Sequence, residues 1–168
     1  MDFNTLWRVL LVLYPSVAGF VHGARKPNVV FIVADDLGYN DVPFTGTGSE
    51  ILTPTLTRLA NQGTVLHHYY VNAICTPTRT SFMSAKYPIH VGLQHGVIRD
   101  SVPDGLPLSE KTMPEIFKAA GYATHMVGKW HLGFYEPAFA PENRGFDEHF
   151  GYYTGPLPLF VFMLLFML

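Results

Sequence analysis

Asn28-Val-Val-Phe-Ile-Val-Ala34 is an unbroken apolar run rich in β-branched residues, and two aspartates, Asp35 and Asp36, end it. With no polar residue at alternate positions, it has the pattern of a strand buried on both faces of a parallel sheet. Gly38 and the region 43–48 then read as loop. Thr53-Pro54, followed by Leu56, Leu59 and Ala60, predicts a short helix with Thr53 as N-cap, Pro54 in its first position and Gly63 beyond its end. Val65–Val71 is the next strand candidate. Thr76-Pro77 opens a second helix running to about Ala85, and Thr112-Met-Pro114 opens a third that stops at Gly121. Ala123–Val127 reads as a strand. Strand and helix alternate along the chain, which places it in the α/β class with a largely parallel sheet.

The 168 residues suffice for one modest domain, and 48% hydrophobic with 14% charged residues is a globular balance. A formal net charge of -2 gives no case for nucleic acid as a partner, because no basic stripe is present to displace phosphate counterions. Residues 1–24 place Arg8 before the apolar run Val9–Leu13 and follow it with Ala18, Gly19, Gly23 and Ala24. A basic start, a short apolar stretch and small residues at the exit predict a cleaved signal peptide, with an uncleaved anchor as the rival. Residues 25–155 are then the folded part. Residues 156–168 end in ten consecutive apolar residues, Leu159–Leu168. That is too short to span a bilayer as a helix, and no polar spacer precedes it as a lipid-anchor signal requires. Phe, Leu, Val and Met codons share a middle uracil, so the expectation is an aberrant hydrophobic tail of a truncated or mis-spliced product. No stable membrane span is expected.

Candidate chemistry gathers at three places. Asp35 and Asp36 stand at the carboxyl end of the first strand, where open α/β sheets hold ligands. Their hard oxygens suit Ca²⁺ or Mg²⁺, although such a pair taken alone more often marks a solvated turn. Cys75-Thr76-Pro77-Thr78-Arg79 contains the only cysteine of the chain. A single thiol cannot form an internal disulfide, although the leader points to an oxidising compartment. At the start of a helix, free N–H groups and the dipole favour an anion, and Arg79 lies one turn on. For an isolated cysteine, plain packing would be the default. Gly128-Lys129-Trp130-His131 follows a strand. If the extended conformation persists, Lys129 and His131 share a face, bringing a cation and a proton-moving imidazole together. The bland rival is a surface lysine beside an unrelated histidine. His67, His68, His90, His95, His125 and His149 receive no role.

From about Lys26 to Gly155 the chain resembles the N-terminal part of the sulfatase family, most closely its arylsulfatase B-like branch. The likeness runs in order through Pro27-Asn-Val-Val30, Asp35-Asp-Leu-Gly38, Cys75-Thr-Pro-Thr-Arg79, Gly92-Leu-Gln-His95 and Gly121–Gly133. The resemblance implies an alkaline-phosphatase-like sulfatase fold, here truncated, with a mostly parallel sheet flanked by helices. It implies that Cys75 is oxidised to formylglycine by the formylglycine-generating enzyme. The hydrated aldehyde would then attack sulfur beside a Ca²⁺ held by Asp35, Asp36 and the modified residue 75. Arg79 would steady the hydrate, Lys129 would contact the sulfate, and His131 would hydrogen-bond the spare hydroxyl. The implied substrates are sulfate esters, glycosaminoglycan sugars before small aryl sulfates, and the implied compartment is the secretory pathway, lysosomal or secreted.

Three positions depart from the family pattern: Ala85 where Gly is usual, Thr57 where Asp is usual and Pro43 in place of a common Gly. The family's Asp-Asn metal pair, a further His and a further Lys belong to a part that this chain lacks. A sheet cut short would leave β-strand backbone without a neighbour. Little sulfatase activity is therefore expected of this chain. The rival expectations are a non-catalytic truncated product and a phosphate or phosphonate ester hydrolase on the same scaffold. No Asn-x-Ser/Thr sequon is present.

Overall fold

The structure, a computed structural model, describes residues 26–46, 50–155 and 162–168, with backbone only for 162–166. The expected signal peptide and the first part of the expected tail lie outside the described residues. In chain order the elements are β1 (Val29–Ala34), α1 (Pro54–Gln62), α2 (Cys75–Ser84), α3 (Met113–Ala119), β2 (Thr124–Lys129), β3 (Glu148–Tyr152) and β4 (Phe162–Met167). They form a four-stranded sheet in the order β1-β4-β2-β3. β2 and β3 pair in parallel, with Lys129 opposite Tyr152. β4 lies antiparallel between β1 and β2, Val29 opposite Met167 on one side and Thr124 opposite Met167 on the other. Three of the four strands therefore run the same way, as an α/β sheet requires, and β4 is the exception. No helix among the described residues is long and apolar enough to cross a membrane.

Local sequence explains most of these elements. α3 begins with a capping box: Thr112 Oγ1 accepts from the Glu115 amide at 3.4 Å, and Glu115 Oε2 accepts from the Thr112 amide at 2.6 Å. α1 has Thr53 before it and Pro54 inside its first turn, although the Thr53 side chain makes no cap bond. α2 ends on Ala85 at φ 55°, the left-handed C-cap geometry that glycine adopts without strain.

The core sits between α2, α3 and one face of the sheet, with Met83, Leu106, Met126, Trp130, Leu132, Phe146 and Met167 buried in it. Trp130 packs edge-on against Phe146, centroids 6.2 Å apart, and its indole N–H donates to the carbonyls of Gly133 and Phe139 at 2.9 and 3.0 Å. Buried Arg144 fastens the 106–110 loop, donating to Leu106 O at 2.8 Å and Glu110 O at 2.7 Å. Gly151 lies where a Cβ would overlap the Gly128 carbonyl on the neighbouring strand, so only glycine fits that register.

Two expectations change. β1 is not buried on both faces: Val29, Phe31 and Val33 pack toward the core, whereas Val30 and Ile32 are more than half exposed. No element among the described residues covers that second face. Val65–Val71 is not a strand: it pairs with no strand among the described residues, and Leu66, Tyr69, Tyr70 and Val71 are exposed. β1 pairs with β4 on one side and, among the described residues, has no strand on its other edge.

Candidate active site

Three segments meet at the carboxyl end of β1. β1 delivers Asp35 and the first turn of α2 delivers Cys75 and Arg79. The end of β2 delivers Lys129. Lys129 Nζ lies 2.9 Å from Asp35 Oδ2 and 3.0 Å from Cys75 Sγ. Cys75 Sγ reaches Asp35 Oδ1 at 3.9 Å. Arg79 Nη2 pairs with Asp35 Oδ2 at 3.5 Å, and its Nη1 donates to the Lys129 carbonyl. Arg79 and Lys129 are buried at 2% and 6% exposure, so two cations are drawn out of water around one carboxylate and one sulfur. Such an arrangement persists only where each charge is paired.

The electrostatics follow from that crowding. Burial pulls the Arg79 guanidinium below its ordinary value, with Asp35 and Cys75 opposing. Burial also works against the Lys129 ammonium, but its bonds to Cys75 and Asp35 outweigh this and hold it above the usual lysine range. Both groups are cationic at neutral pH. An anion arriving beside Cys75 would therefore meet two positive charges and the first amides of α2.

His131 is close by but held differently. Its φ of 59° ends the extended run that would have put Lys129 and His131 in simple alternation. Trp130 does turn the opposite way, into the core. The His131 ring bonds the Ile98 carbonyl through Nε2 at 2.9 Å, and Nδ1 is buried with no partner among the described residues. A carbonyl can only accept, so Nε2 carries a proton, and in the neutral ring Nδ1 is a free acceptor. Burial lowers the His131 pKa; the Ile98 bond opposes this, and nearby Lys129 and Arg79 reinforce it. A cavity of about 250 Å³, lined by Val97–Asp100, His131 and Gly155, opens beside this ring.

Asp36 is exposed, with its backbone in the left-handed region at φ 62°, and no bond among the described residues ties it to the Asp35 cluster. Two carboxylates are the right kind of donor for a hard divalent cation, but a full shell needs more oxygens than they supply. Among the described residues no three His, Cys, Asp or Glu side chains gather into a metal-holding group.

Two contributors were not foreseen. Thr76, fully buried, donates to the His131 carbonyl at 3.0 Å and accepts from the Ile98 amide at 3.1 Å, so it seats His131 from inside the Cys-x-Pro-x-Arg segment. Tyr152 stands opposite Lys129 on β3, close enough for Lys129, Asp35, Arg79 and Cys75 all to act on its phenol, which burial pushes up. Thr76 could have been suspected from its place in the segment. Nothing in the local sequence marks Tyr152, because its role depends on strand register.

An α/β scaffold that brings a cysteine at a helix start together with Asp, Arg and Lys defines a class of anion-handling sites. The sulfatase family profile matches residues 27–157, and the chain belongs to that family. It is 53% identical over 133 residues to arylsulfatase J of Mus musculus, covering 79% of this chain and 22% of that protein. It is 37% identical over 155 residues to N-acetylgalactosamine-6-sulfatase of Sus scrofa, covering 88% and 29%. Among solved structures, the crystal structure of Ps i-CgsB superposes with a TM-score of 0.73 at 39% identity, covering 78% of this chain and 29% of that one. A second structure of that protein, in complex with k-i-k-neocarrahexaose, superposes at 0.68 with 37% identity. The chain thus spans less than a third of the length of each of these relatives.

Proposed function

We propose that this chain carries the nucleophile-bearing part of a sulfuric ester hydrolase of the arylsulfatase type. The observation that supports it best is the placing of Cys75 Sγ 3.0 Å from Lys129 Nζ at the start of α2, with Arg79 one turn behind. Cys75 is the residue converted to formylglycine by the formylglycine-generating enzyme, and its hydrated aldehyde supplies an oxygen nucleophile for attack on sulfur. Asp35 and Asp36 are the carboxylates that would hold Ca²⁺, whose contribution is to draw electron density from oxygens bound beside it.

Lys129 holds a sulfonate oxygen by charge and hydrogen bond. Arg79, anchored by the Lys129 carbonyl and Asp35, steadies residue 75 and the negative charge that develops there. His131, near Lys129 and Arg79 and with no partner for Nδ1 among the described residues, would accept a proton from a hydroxyl at residue 75. Sugar sulfate esters, including those of glycosaminoglycans, are favoured over small aryl sulfates. One relative is named for N-acetylgalactosamine 6-sulfate, and the structural neighbour was solved with a saccharide. The compartment that suits this chemistry is the secretory pathway, lysosomal or secreted. Among the described residues the carboxylates form only part of a metal shell.

Alkylation of the unconverted thiol tests the site without requiring turnover. Iodoacetamide should modify Cys75 more slowly in the presence of N-acetylgalactosamine 6-sulfate than with the unsulfated sugar, and Lys129→Met should abolish the difference. Equal rates with both sugars would remove the case for sulfate-ester recognition. Stronger protection by the corresponding phosphate ester would favour a phosphoester hydrolase.

A further inference from the structure

Arg99 and Asp100 stand apart from the Asp35–Cys75–Lys129 cluster, yet both line the cavity of about 250 Å³ that opens beside His131. That cavity is tied to the nucleophile-bearing segment. Thr76, next to Cys75, donates to the His131 carbonyl at 3.0 Å and accepts from the Ile98 amide at 3.1 Å. The His131 amide donates in turn to the Tyr153 carbonyl at 2.9 Å, so the walls are set by buried bonds. Gly155 keeps the space open, since a Cβ there would come within 3.2 Å of His131 Cε1. His131 itself is 3% exposed, and its Nδ1 has no partner among the described residues. Arg99 and Asp100 are exposed, and neither side chain makes an ion pair or hydrogen bond among the described residues. Asp100 is nonetheless close enough to favour a proton on the His131 ring.

A volume of about 250 Å³ is below the roughly 300–1,000 Å³ of a pocket that encloses a whole drug-sized ligand, so it suits one substituent of a larger molecule. A guanidinium with no partner of its own offers paired N–H donors to a carboxylate or a sulfate. Asp100 beside it offers only acceptors, which suit a sugar hydroxyl. We propose that this cavity is a subsite for a second anionic group, carboxylate or sulfate, on the same glycan whose sulfate ester lies at residue 75, with Arg99 as the residue that selects for it. The proposal rests on the sulfate-ester reading above and narrows the substrate class to sugars bearing at least two anionic groups. Arg99 sets specificity and takes no part in bond-breaking at sulfur.

Titration calorimetry of the full chain tests this with N-acetylgalactosamine, its 6-sulfate, the same sugar with a second sulfate, and a disaccharide joining a hexuronic acid to the 6-sulfate. A second anion should tighten binding about fivefold over the 6-sulfate, as one solvent-exposed ion pair allows. Arg99→Gln should erase that gain and leave affinity for the 6-sulfate within about twofold, while Arg99→Lys should keep most of it. Since the Arg99 side chain is exposed, circular dichroism of both variants should match the parent. If Arg99→Gln does not, Gly155→Val, which fills the cavity, takes its place and should erase the same gain. Whichever doubly anionic ligand binds tighter tells carboxylate from sulfate. No gain in the parent, or a gain that survives Arg99→Gln, would overturn the proposal and leave the sulfate-ester reading standing. If the 6-sulfate binds no better than the unsulfated sugar, that reading fails and the subsite falls with it.

Discussion

Replacing Lys129 by Met keeps most of the side chain's volume and deletes its charge. The ammonium makes two charge-assisted contacts, at 2.9 Å to Asp35 and 3.0 Å to Cys75, from a position only 6% exposed. Breaking one partner of a buried pair typically costs about 3–5 kcal/mol. Here Asp35 keeps Arg79 at 3.5 Å and is 22% exposed, so part of the lost pairing is recovered from Arg79 and water. The working figure is about 2 kcal/mol, close to that of a hydrogen bond between charged groups. With a urea slope of about 1–3 kcal/mol per molar, the midpoint should fall by about 1 M. Asp35→Asn should cost a similar amount, because it strands both cations. The double variant should cost less than the two singles together, by about 1–2 kcal/mol of coupling. Urea titrations of the four proteins at pH 7 measure this directly. Strictly additive losses would show that Asp35 and Lys129 do not form the central pair of the site, and the electrostatic account would fail.

Three further outcomes follow from other positions. Ala85→Gly should raise stability by about 0.5–1 kcal/mol, because Ala85 holds φ 55° at the α2 C-cap; an unchanged or lower urea midpoint would contradict that. Asp147 is held down to about 2 by the Lys118 ammonium and the Thr124 amide, so its contribution is complete above about pH 4 and lost as pH falls through about 2. Asp147→Asn should flatten acid unfolding in that window, as followed by circular dichroism. His131 sits below its ordinary value of 6.5, so the folded state takes up its proton later than the unfolded chain. Stability should be full above pH 6.5 and decline as pH drops below it. His131→Gln should weaken that decline, and an unaltered slope between pH 5 and 7 would refute the assignment.

Much of this site can be read from short-range patterns, and the parts that cannot all depend on long-range pairing. The helix starts at Thr53-Pro54, Thr112-Met-Pro114 and Cys75 are legible because the proline near each start is a local signal, although only Thr112 makes cap bonds. The Cys75–Arg79 spacing likewise sets one turn of helix by itself. Lys129 is legible as the last residue of a strand, but its meeting with Asp35, 94 residues away, follows only from the order of strands. Val65–Val71 has strand composition yet pairs with no strand among the described residues, since composition cannot supply a neighbour. The same holds for β1, whose apolar alternation cannot reveal that nothing among the described residues covers Val30 and Ile32. His131 departs from simple strand alternation because its left-handed φ is imposed by bonds to Thr76 and Ile98. Tyr152 enters only through its register with Lys129.

The most direct measurement is the mass of the peptide containing Cys75-Thr-Pro-Thr-Arg79, taken from protein secreted by cells that carry the converting enzyme. The account predicts an aldehyde at position 75, captured by a hydrazide reagent and absent from Cys75→Ala. An intact thiol throughout the secreted protein would contradict it.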